Sequence, residues 1–530
     1  MKLYNCLLNN ITESFSSGIT FQYSAVISLL ISSSVFYFFI AHVLPVNIVG
    51  SISLLYAIMN IMAVVFVFGL SYGIQHYISY HLVRENHNAI LRLMKQTIIF
   101  SIFLALFAFT FMYFASHEIA ILFFHSTAYV FSIKLIGIAI AGSVMINIFG
   151  SMLLGLNQYK KYSLIYIFIN TFTYLFPLSI LILTGKSVYL IAGLSAINIV
   201  SAIILFIFVY RSYSRMGGLA LNTSKEPYRN LIYYSVPVFI SSIMATSATY
   251  IDRIVVSYFI NLSYLGIYNF ALIIASVAMY LVFPVSNLLI PKLSTFFSLD
   301  NKEGFRSSIR ILLNIVSLIY IPSALGIAAL SRIILYEFAG PQYTIAYMPL
   351  MIIMFVTSFF IGSVVLSSGI SSIRKTKIFV YSSGLSLSSN VVLSILLIPT
   401  FNIIGAAIAY SSMNAVNFLI VYHYARKFGV NNYDIPRVIR IWVSSIMMFG
   451  AIFAIQGIFP YSMLNIFLYI LLGLAIYMLE IKAFRLISAE EMDYILSVIP
   501  NRFSTLKYIL RNLGYKERKG RYDRLFRFIK

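Results

Sequence analysis

The chain has 530 residues, of which 61% are hydrophobic and 10% charged, and its formal net charge is +22. A soluble protein usually carries about a quarter charged residues, so this composition excludes the soluble class and predicts a polytopic membrane protein. In such a protein the distribution of positive charge matters more than its sum, and we expect no nucleic-acid partner. The single cysteine, Cys6, excludes an intramolecular disulfide and a thiolate metal cluster. The first residues lack the pattern of a cleaved signal peptide, and none is expected.

Apolar runs recur along the chain, each long enough to cross roughly 30 Å of hydrocarbon as a helix of about 20 residues. The fourteen runs lie near 22–42, 48–70, 97–116, 130–154, 163–184, 188–210, 235–260, 264–288, 311–331, 345–368, 378–399, 402–424, 438–459 and 463–483. Membrane strands would instead show segments of about ten residues with alternating polarity. The predicted fold is therefore all-α, with about 14 transmembrane helices.

The positive charges alternate between the two sides of this layout. Of the 37 Lys and Arg residues, 33 fall at the termini or in the even-numbered loops, and the exceptions are Lys134, Lys186, Arg253 and Arg332. Because positively charged loops stay in the cytoplasm, both termini and every even loop are predicted to be cytoplasmic. We expect a multi-pass protein of the plasma membrane.

The first twelve spans divide into two similar halves. Gly50 pairs with Gly266 in a shared motif, Gly155 with Gly369, and Gly193 with Gly405, at offsets of 216, 214 and 212 residues. An even number of helices in each half gives both halves the same orientation, so the repeat is parallel. The predicted units are an N-terminal six-helix lobe over 1–229, a C-terminal six-helix lobe over 230–437, two extra spans over 438–483 and a tail over 484–530.

The tail is basic and partly amphipathic. Ser488 and Glu491 form a capping-box pattern ahead of apolar residues at helical spacing. We interpret the tail as a helix on the anionic inner leaflet of the membrane, and docking to a protein partner is the alternative.

A charged pair, Asp252 and Arg253, stands in the middle of the seventh span. Each charge at mid-bilayer costs on the order of 2.5 to 3.5 kcal/mol, which makes an intramembrane pair a candidate functional site. Arg253 suits a buried anion because a guanidinium binds phosphate through two donors. The alternative is an ion pair that fixes helix packing, although adjacent helical residues point about 100° apart and are not expected to face each other. In the first half Phe36 and Tyr37 take the equivalent positions, so the fold itself does not demand the pair.

Three further residues are candidates for the same site. Tyr268 and Asn269 are polar residues of the eighth span that could line a hydrated path, although hydrogen bonds between helices explain most membrane asparagines. Lys134 lies about one turn into the fourth span, and snorkelling to the surface is its simpler explanation. The motifs of metalloproteases and serine hydrolases are missing from the sequence, and we expect neither an enzyme nor a metal or organic cofactor.

The ordered motifs across these spans resemble the polysaccharide (Wzx-type) flippases of the multidrug/oligosaccharidyl-lipid/polysaccharide exporter superfamily. They comprise the aspartate of the seventh span, Gly-x-Tyr-x-x-Ala at 266–271, the Phe-Ala-Gly-Pro-Gln-Tyr turn at 338–343 and the small-residue run at 403–409. The resemblance implies two six-helix lobes around a cationic cavity and transport of a polyprenyl-diphosphate-linked oligosaccharide to the outer leaflet. It also implies that Arg253 holds the diphosphate, with membrane lipids and glycan-assembly enzymes as further partners.

Two other functions stay open at this point. A cation-coupled drug or metabolite antiporter of the same superfamily typically has a carboxylate in its first helix, and none occurs between Gln22 and His42. A membrane-embedded glycan polymerase or ligase would normally have a large outer loop with catalytic residues. The longest outer loops here have about fifteen residues.

Overall fold

The computed structural model describes residues 24–216, 228–287, 300–457 and 462–488, with 293, 296–297 and 491–492 in addition. Its regular elements within these residues are all helices. Ten of them are α1 Ser24–Val43, α2 Val46–Val67, α3 Leu70–Val83, α4 His87–Phe124, α5 Val130–Gly155, α6 Tyr159–Thr184, α7 Ser187–Arg215, α8 Tyr228–Phe259, α9 Leu262–Asn287 and α10 Lys302–Ala329. The other six are α11 Ser331–Ala339, α12 Tyr347–Phe360, α13 Gly362–Ser372, α14 Lys377–Lys427, α15 Ile435–Ile455 and α16 Met463–Ala483. Two short 3₁₀ turns precede α5 and α12.

Helix α14 is two transmembrane spans joined at a sharp break. Its 51 residues would extend about 76 Å as one straight helix, far more than a bilayer core of about 30 Å. The backbone leaves the helical region at Asn402, with φ 52° and ψ −136°, three residues after Pro399. The hydroxyls of Ser389 and Ser412 meet at 3.1 Å, so the chain doubles back at the break. With this helix counted as two, the 13 apolar helices give the fourteen spans predicted from hydropathy.

Some helix bounds differ from the sequence prediction. The second span ends at Val67, and a separate helix, α3, follows after a break at Phe68 and Gly69, which both have positive φ. Helix α4 has 38 residues and includes the basic segment that the hydropathy pattern places in a loop. Helical propensity and packing extend a helix beyond the bilayer, whereas hydropathy detects only its apolar portion.

The two halves meet through residues that the repeat pairs with each other. A methyl group on Gly50 would overlap the carbonyl of Leu262, and one on Gly266 would overlap the carbonyl of Val46. Since Val46 and Leu262 are also 216 positions apart, this crossing of α2 and α9 is reciprocal, as expected of two units related by an approximate two-fold axis. Only glycine allows the two backbones to approach this closely.

A second pair of equivalent glycines lies between the last two spans of each half. Gly193 faces Pro177 on the preceding helix, and Gly405 faces Leu397 on the preceding arm of α14. Each glycine thus permits close packing between the last two spans of its own half. The residues that they contact are not equivalent in the repeat, because an offset of 212 residues pairs Pro177 with Ser389 and not with Leu397.

The capping box of the C-terminal segment is confirmed. The backbone N–H of Ser488 donates to Glu491 at 2.9 Å, and the N–H of Glu491 lies 3.4 Å from the Ser488 hydroxyl. The Glu491 carboxylate also accepts from Arg437 at 2.6 Å and from Asn314 at 2.8 Å, which ties this segment to α15 and α10. The rest of the predicted tail lies outside the described residues.

Candidate substrate site

The charged pair lies closer to one end of its helix than the sequence suggested. Asp252 precedes the end of α8 at Phe259 by seven residues, or about 10 Å. The predicted mid-span position was too central, because Asp252 lies 17 residues from the start and seven from the end of the apolar span Ser235–Phe259. The nearby end of α8 is the one that the charge pattern assigns to the outer face.

Asp252 is fully buried and its carboxylate is well supplied with donors. The Tyr268 hydroxyl donates to Oδ2 at 2.7 Å, and the backbone N–H of Arg253 donates to Oδ1 at 2.9 Å. The Arg253 Nη1 atom lies 3.7 Å from the same Oδ1. Burial of an ionised carboxylate is costly unless it is paired and hydrogen-bonded, and both conditions are met. Asp252 therefore orients its neighbours.

The arginine makes contact with its neighbour despite the 100° between adjacent helical positions. Its guanidinium folds back along α8, where Nη1 donates to the Thr249 carbonyl at 2.8 Å and the Cζ atom lies 4.7 Å from the centre of the Tyr250 ring. The expectation that Asp252 and Arg253 do not face each other was thus wrong, because a long side chain bends toward the preceding helical turn.

Arg253 keeps donors for a ligand. Its side chain is 12% exposed, and Nε lies 3.4 Å from Oδ1 of Asn269 on α9. Among the contacts described for this residue, Nη2 donates to no protein acceptor. A guanidinium has five N–H donors in a rigid fork, so the outer edge of the fork is left to bind an anion.

Helix α9 provides the other half of this cluster. Tyr268 is fully buried, and its hydroxyl lies 3.3 Å from the Ala406 carbonyl as well as bonding to Asp252, so it links α8, α9 and α14. Asn269 is 4% exposed, and its Nδ2 atom has no hydrogen-bond partner among the described residues. A buried donor without a partner costs about 1–3 kcal/mol, which a ligand acceptor would recover.

Lys134 lies in a different environment. Its Nζ atom is 4.2 Å from the centre of the Tyr113 ring, and the Tyr113 side chain is 45% exposed. Within the described contacts Lys134 belongs to the pair of α4 and α5, whereas Arg253 contacts α8 and α9. This placement fits the snorkelling interpretation.

Sequence reasoning did not single out Thr249 or Tyr250. It also missed the aromatic residue that the first half places beside the anion-binding site. Tyr37 lies beside the Asn269 side chain and within electrostatic range of Arg253, and its ring is 6.2 Å from that of Phe270. The repeat did contain a signal, because Tyr37 is the residue equivalent to Arg253. Two equivalent positions come close to each other in space when both lie near the two-fold axis that relates the halves. Within the described part of the chain, no group of three or more His, Cys, Asp or Glu side chains is arranged to hold a metal ion.

Comparison with known proteins places these features in a family. A family model described as polysaccharide biosynthesis protein matches residues 17–297, more than half of the chain and the part that contains Arg253. A probable low-salt glycan biosynthesis flippase, Agl15 of Haloferax volcanii, is 25% identical over 250 residues, which are 47% of this chain and 53% of that protein. An uncharacterized membrane protein, MJ1068 of Methanocaldococcus jannaschii, is 23% identical over 298 residues, 56% of this chain and 59% of that one. The matches thus span a little over half the length of these relatives.

Solved structures show the same arrangement of helices. The lipid II flippase MurJ in an inward closed conformation has a TM-score of 0.63 and 18% identity, with 84% of this chain and 98% of that chain covered. An inward-facing multidrug resistance MATE family transporter of the MOP superfamily has a TM-score of 0.61 and 12% identity, with 77% and 93% covered. At such identities the likeness concerns the fold. On the family match and this fold together, the chain belongs to the polysaccharide biosynthesis protein family and is an all-α, multi-pass membrane protein.

Proposed function

We propose that this protein moves a polyprenyl-diphosphate-linked oligosaccharide from the cytoplasmic to the outer leaflet by alternating access, with Arg253 holding the diphosphate. It does so without covalent chemistry, for surface polysaccharide or protein glycosylation. The family match and the flippase name of the Haloferax relative support the substrate class. Glycan-assembly enzymes would supply and consume the substrate on the two faces.

The proposal rests on one observation. A guanidinium lies inside the membrane domain, and one edge of its donor fork has no protein acceptor among its described contacts. Arg253 stays ionised in a low-dielectric site, and its fork matches two phosphate oxygens. Its partner Asp252 already accepts from Tyr268, so an incoming diphosphate can bind the arginine without stripping the carboxylate of every donor. The Arg253 side chain is 12% exposed, so a ligand can reach this edge.

The moving parts in this proposal are the two lobes, 1–229 and 230–437. They touch at the crossing of Gly50 and Gly266, which lies at the first turns of α2 and α9. With both termini cytoplasmic, that crossing is on the outer side, and opening it would expose the site to the outer leaflet. Parallel repeats of this kind work by rocking one half against the other.

The test uses cells that lack the protein and an impermeant glycan probe. Lipid-linked oligosaccharide should accumulate where the probe cannot reach it, and wild-type protein should reverse this. Arg253→Gln should insert at normal levels and fail to reverse it, whereas the matched control Arg332→Gln, which changes an arginine at the end of another span, should succeed. Full activity of Arg253→Gln would reject the anion site. Accumulation on the outer face in the deletion strain would instead favour a polymerase or ligase.

A further inference from the structure

Tyrosines from both halves surround Arg253. Tyr250 lies under the guanidinium, and Tyr410 of the second arm of α14 is within electrostatic range of it. In the first half Tyr37 of α1 is within electrostatic range of Arg253, and Tyr56 of α2 and Tyr174 of α6 are within range of Tyr37. Tyr280 of α9 is within range of Tyr37 and Tyr174. Arg253 thus interacts with Tyr37, Tyr250 and Tyr410, and Tyr37 in turn interacts with Tyr56, Tyr174 and Tyr280.

The three tyrosines of the first half form an aromatic cluster together with Phe36. The rings of Tyr56 and Tyr174 are stacked, with planes 4° apart and centroids 6.5 Å apart. Tyr174 also lies 5.5 Å from Phe36 and 6.4 Å from Tyr37 by ring centroids. We call Phe36, Tyr37, Tyr56 and Tyr174 the aromatic wall. Within the wall Phe36 is fully buried and packs against the rings of the three tyrosines.

The aromatic wall has one surface open to the interior. Tyr37 and Tyr174 pack against the hydrophobic core and yet remain partly exposed, as Tyr410 does opposite them. Because Tyr37 also contacts Phe270 and lies beside Asn269, this accessible surface borders the space between the two halves. Arg253, which is also partly exposed, lies at the same space because Tyr37 is beside its partner Asn269.

Polar atoms without partners flank this space in both halves. Ser53 Oγ and Tyr56 Oη on α2 and Asn269 Nδ2 on α9 are buried and have no hydrogen-bond partner among the described residues. Ser53 and Asn269 are 216 positions apart, so the two orphan groups occupy equivalent places one turn from the glycine crossing. An unpaired buried polar atom costs free energy, and a ligand that carries hydroxyl groups would supply partners at these positions.

We propose that the aromatic wall binds the sugar that adjoins the diphosphate, with Tyr37 and Tyr174 in contact with it. This inference rests on the proposed function. A pyranose ring has an apolar C–H face and a rim of hydroxyls. A tyrosine matches both, because it presents a flat apolar ring and a hydroxyl that donates and accepts hydrogen bonds. Arg253 then recognises the lipid diphosphate, and the aromatic wall recognises its first sugar.

The experiment compares two probes on the full chain in lipid nanodiscs. One is lipid-linked oligosaccharide extracted from cells that lack the protein, and the other is the polyprenyl diphosphate without a sugar. Tyr174→Leu, which removes the ring, and Tyr37→Phe, which removes the hydroxyl, should each weaken the first probe about tenfold and the second less than twofold, as expected for losing one stacking contact or one hydrogen bond. If Tyr174→Leu fails to fold, Tyr174→Phe takes its place, and it should lose less affinity for the first probe.

The control is Tyr477→Phe on α16, whose hydroxyl donates to the Leu318 carbonyl at 3.0 Å away from the wall, and both affinities should stay at the wild-type value. Equal loss of both probes in the Tyr37 and Tyr174 variants, or loss of neither, would overturn the sugar assignment. Arg253→Gln should weaken both probes together. If Arg253→Gln weakens neither probe, the assignment of the diphosphate site is wrong. The ratio of the affinities for the two probes in the tyrosine variants still decides whether the tyrosines bind the sugar.

Discussion

The two halves of the chain carry different chemistry at equivalent positions. Asp252, Arg253, Tyr268 and Asn269 of the second half correspond to Phe36, Tyr37, Ile52 and Ser53 of the first. The second half places a paired cation beside the axis, and the first half places an aromatic cluster there. Both sets lie on helices that pack alike, since the reciprocal contacts at Gly50 and Gly266 are kept.

This comparison separates the demands of the fold from those of the site. A six-helix half is complete without any charge near the axis, because the first half has none at these positions. The fold therefore does not require the charges of the second half, and we propose that they serve to bind an anion. In our proposals the site is two-sided, with the diphosphate bound by the second half and the sugar by the first.

The largest effect is expected from giving the second half the residues of the first. The double substitution Asp252→Phe with Arg253→Tyr should leave a folded protein, because the first half tolerates this pair, and should abolish transport. Complementation of a deletion strain measures transport, and size-exclusion chromatography checks folding. A conservative double change on the same helix, Tyr258→Phe with Phe259→Tyr, involves exposed side chains and should retain function. Transport by the first double variant would remove the charge pair from the mechanism.

Removing only the carboxylate should be worse for stability than removing the pair. Asp252→Leu leaves the Arg253 cation without its counter-charge, and breaking a buried pair in this way costs about 3–5 kcal/mol. Asp252→Leu with Arg253→Met should recover most of that loss, because an apolar pair of similar volume needs no partner. Thermal unfolding in detergent compares the variants. Equal melting temperatures for the single and double changes would show that the two side chains do not depend on each other.

The glycine crossing should tolerate no side chain. Gly266→Ala directs a methyl group into the Val46 carbonyl, a backbone atom that cannot rotate away, and such overpacking costs about 3 kcal/mol. Gly50→Ala should behave alike, because the contact is reciprocal. The matched control is Gly450→Ala on α15, where nothing lies within 4 Å and alanine should be neutral or stabilising. A different response of the two crossing glycines would break the symmetry argument.

The smallest effect is expected at the hydroxyl that supports the carboxylate. Tyr268→Phe removes the 2.7 Å hydrogen bond to Asp252 and should destabilise the protein by about 1–2 kcal/mol. Tyr343→Phe is its control, because the Tyr343 hydroxyl is buried with no partner among the described residues and its loss should cost nothing. Thermal unfolding would again measure both. A larger loss in Tyr343→Phe would contradict the role assigned to Tyr268.

Much of the architecture could be predicted because its signals are local. Each span and each charged loop can be recognised from the composition of its own segment, which gives the number of spans, the all-helical class and the charge alternation. The repeat follows from comparing segments. Asp252 and Arg253 stand out for the same reason, since a charge within an apolar run is visible without any contact. Helix bounds were less predictable, as α3 and the extended α4 show, because hydropathy does not detect helix outside the bilayer.

What only the tertiary structure decided is which side chains meet. The sequence determined the spans, the two related halves and the charged pair of the seventh span. It could not place Lys134 against Tyr113, nor bring Tyr37 to a residue more than 200 positions away. Those contacts depend on how each helix is rotated about its axis and where it crosses its neighbours. Close approach at a few glycines sets both, and no property of an isolated segment encodes them.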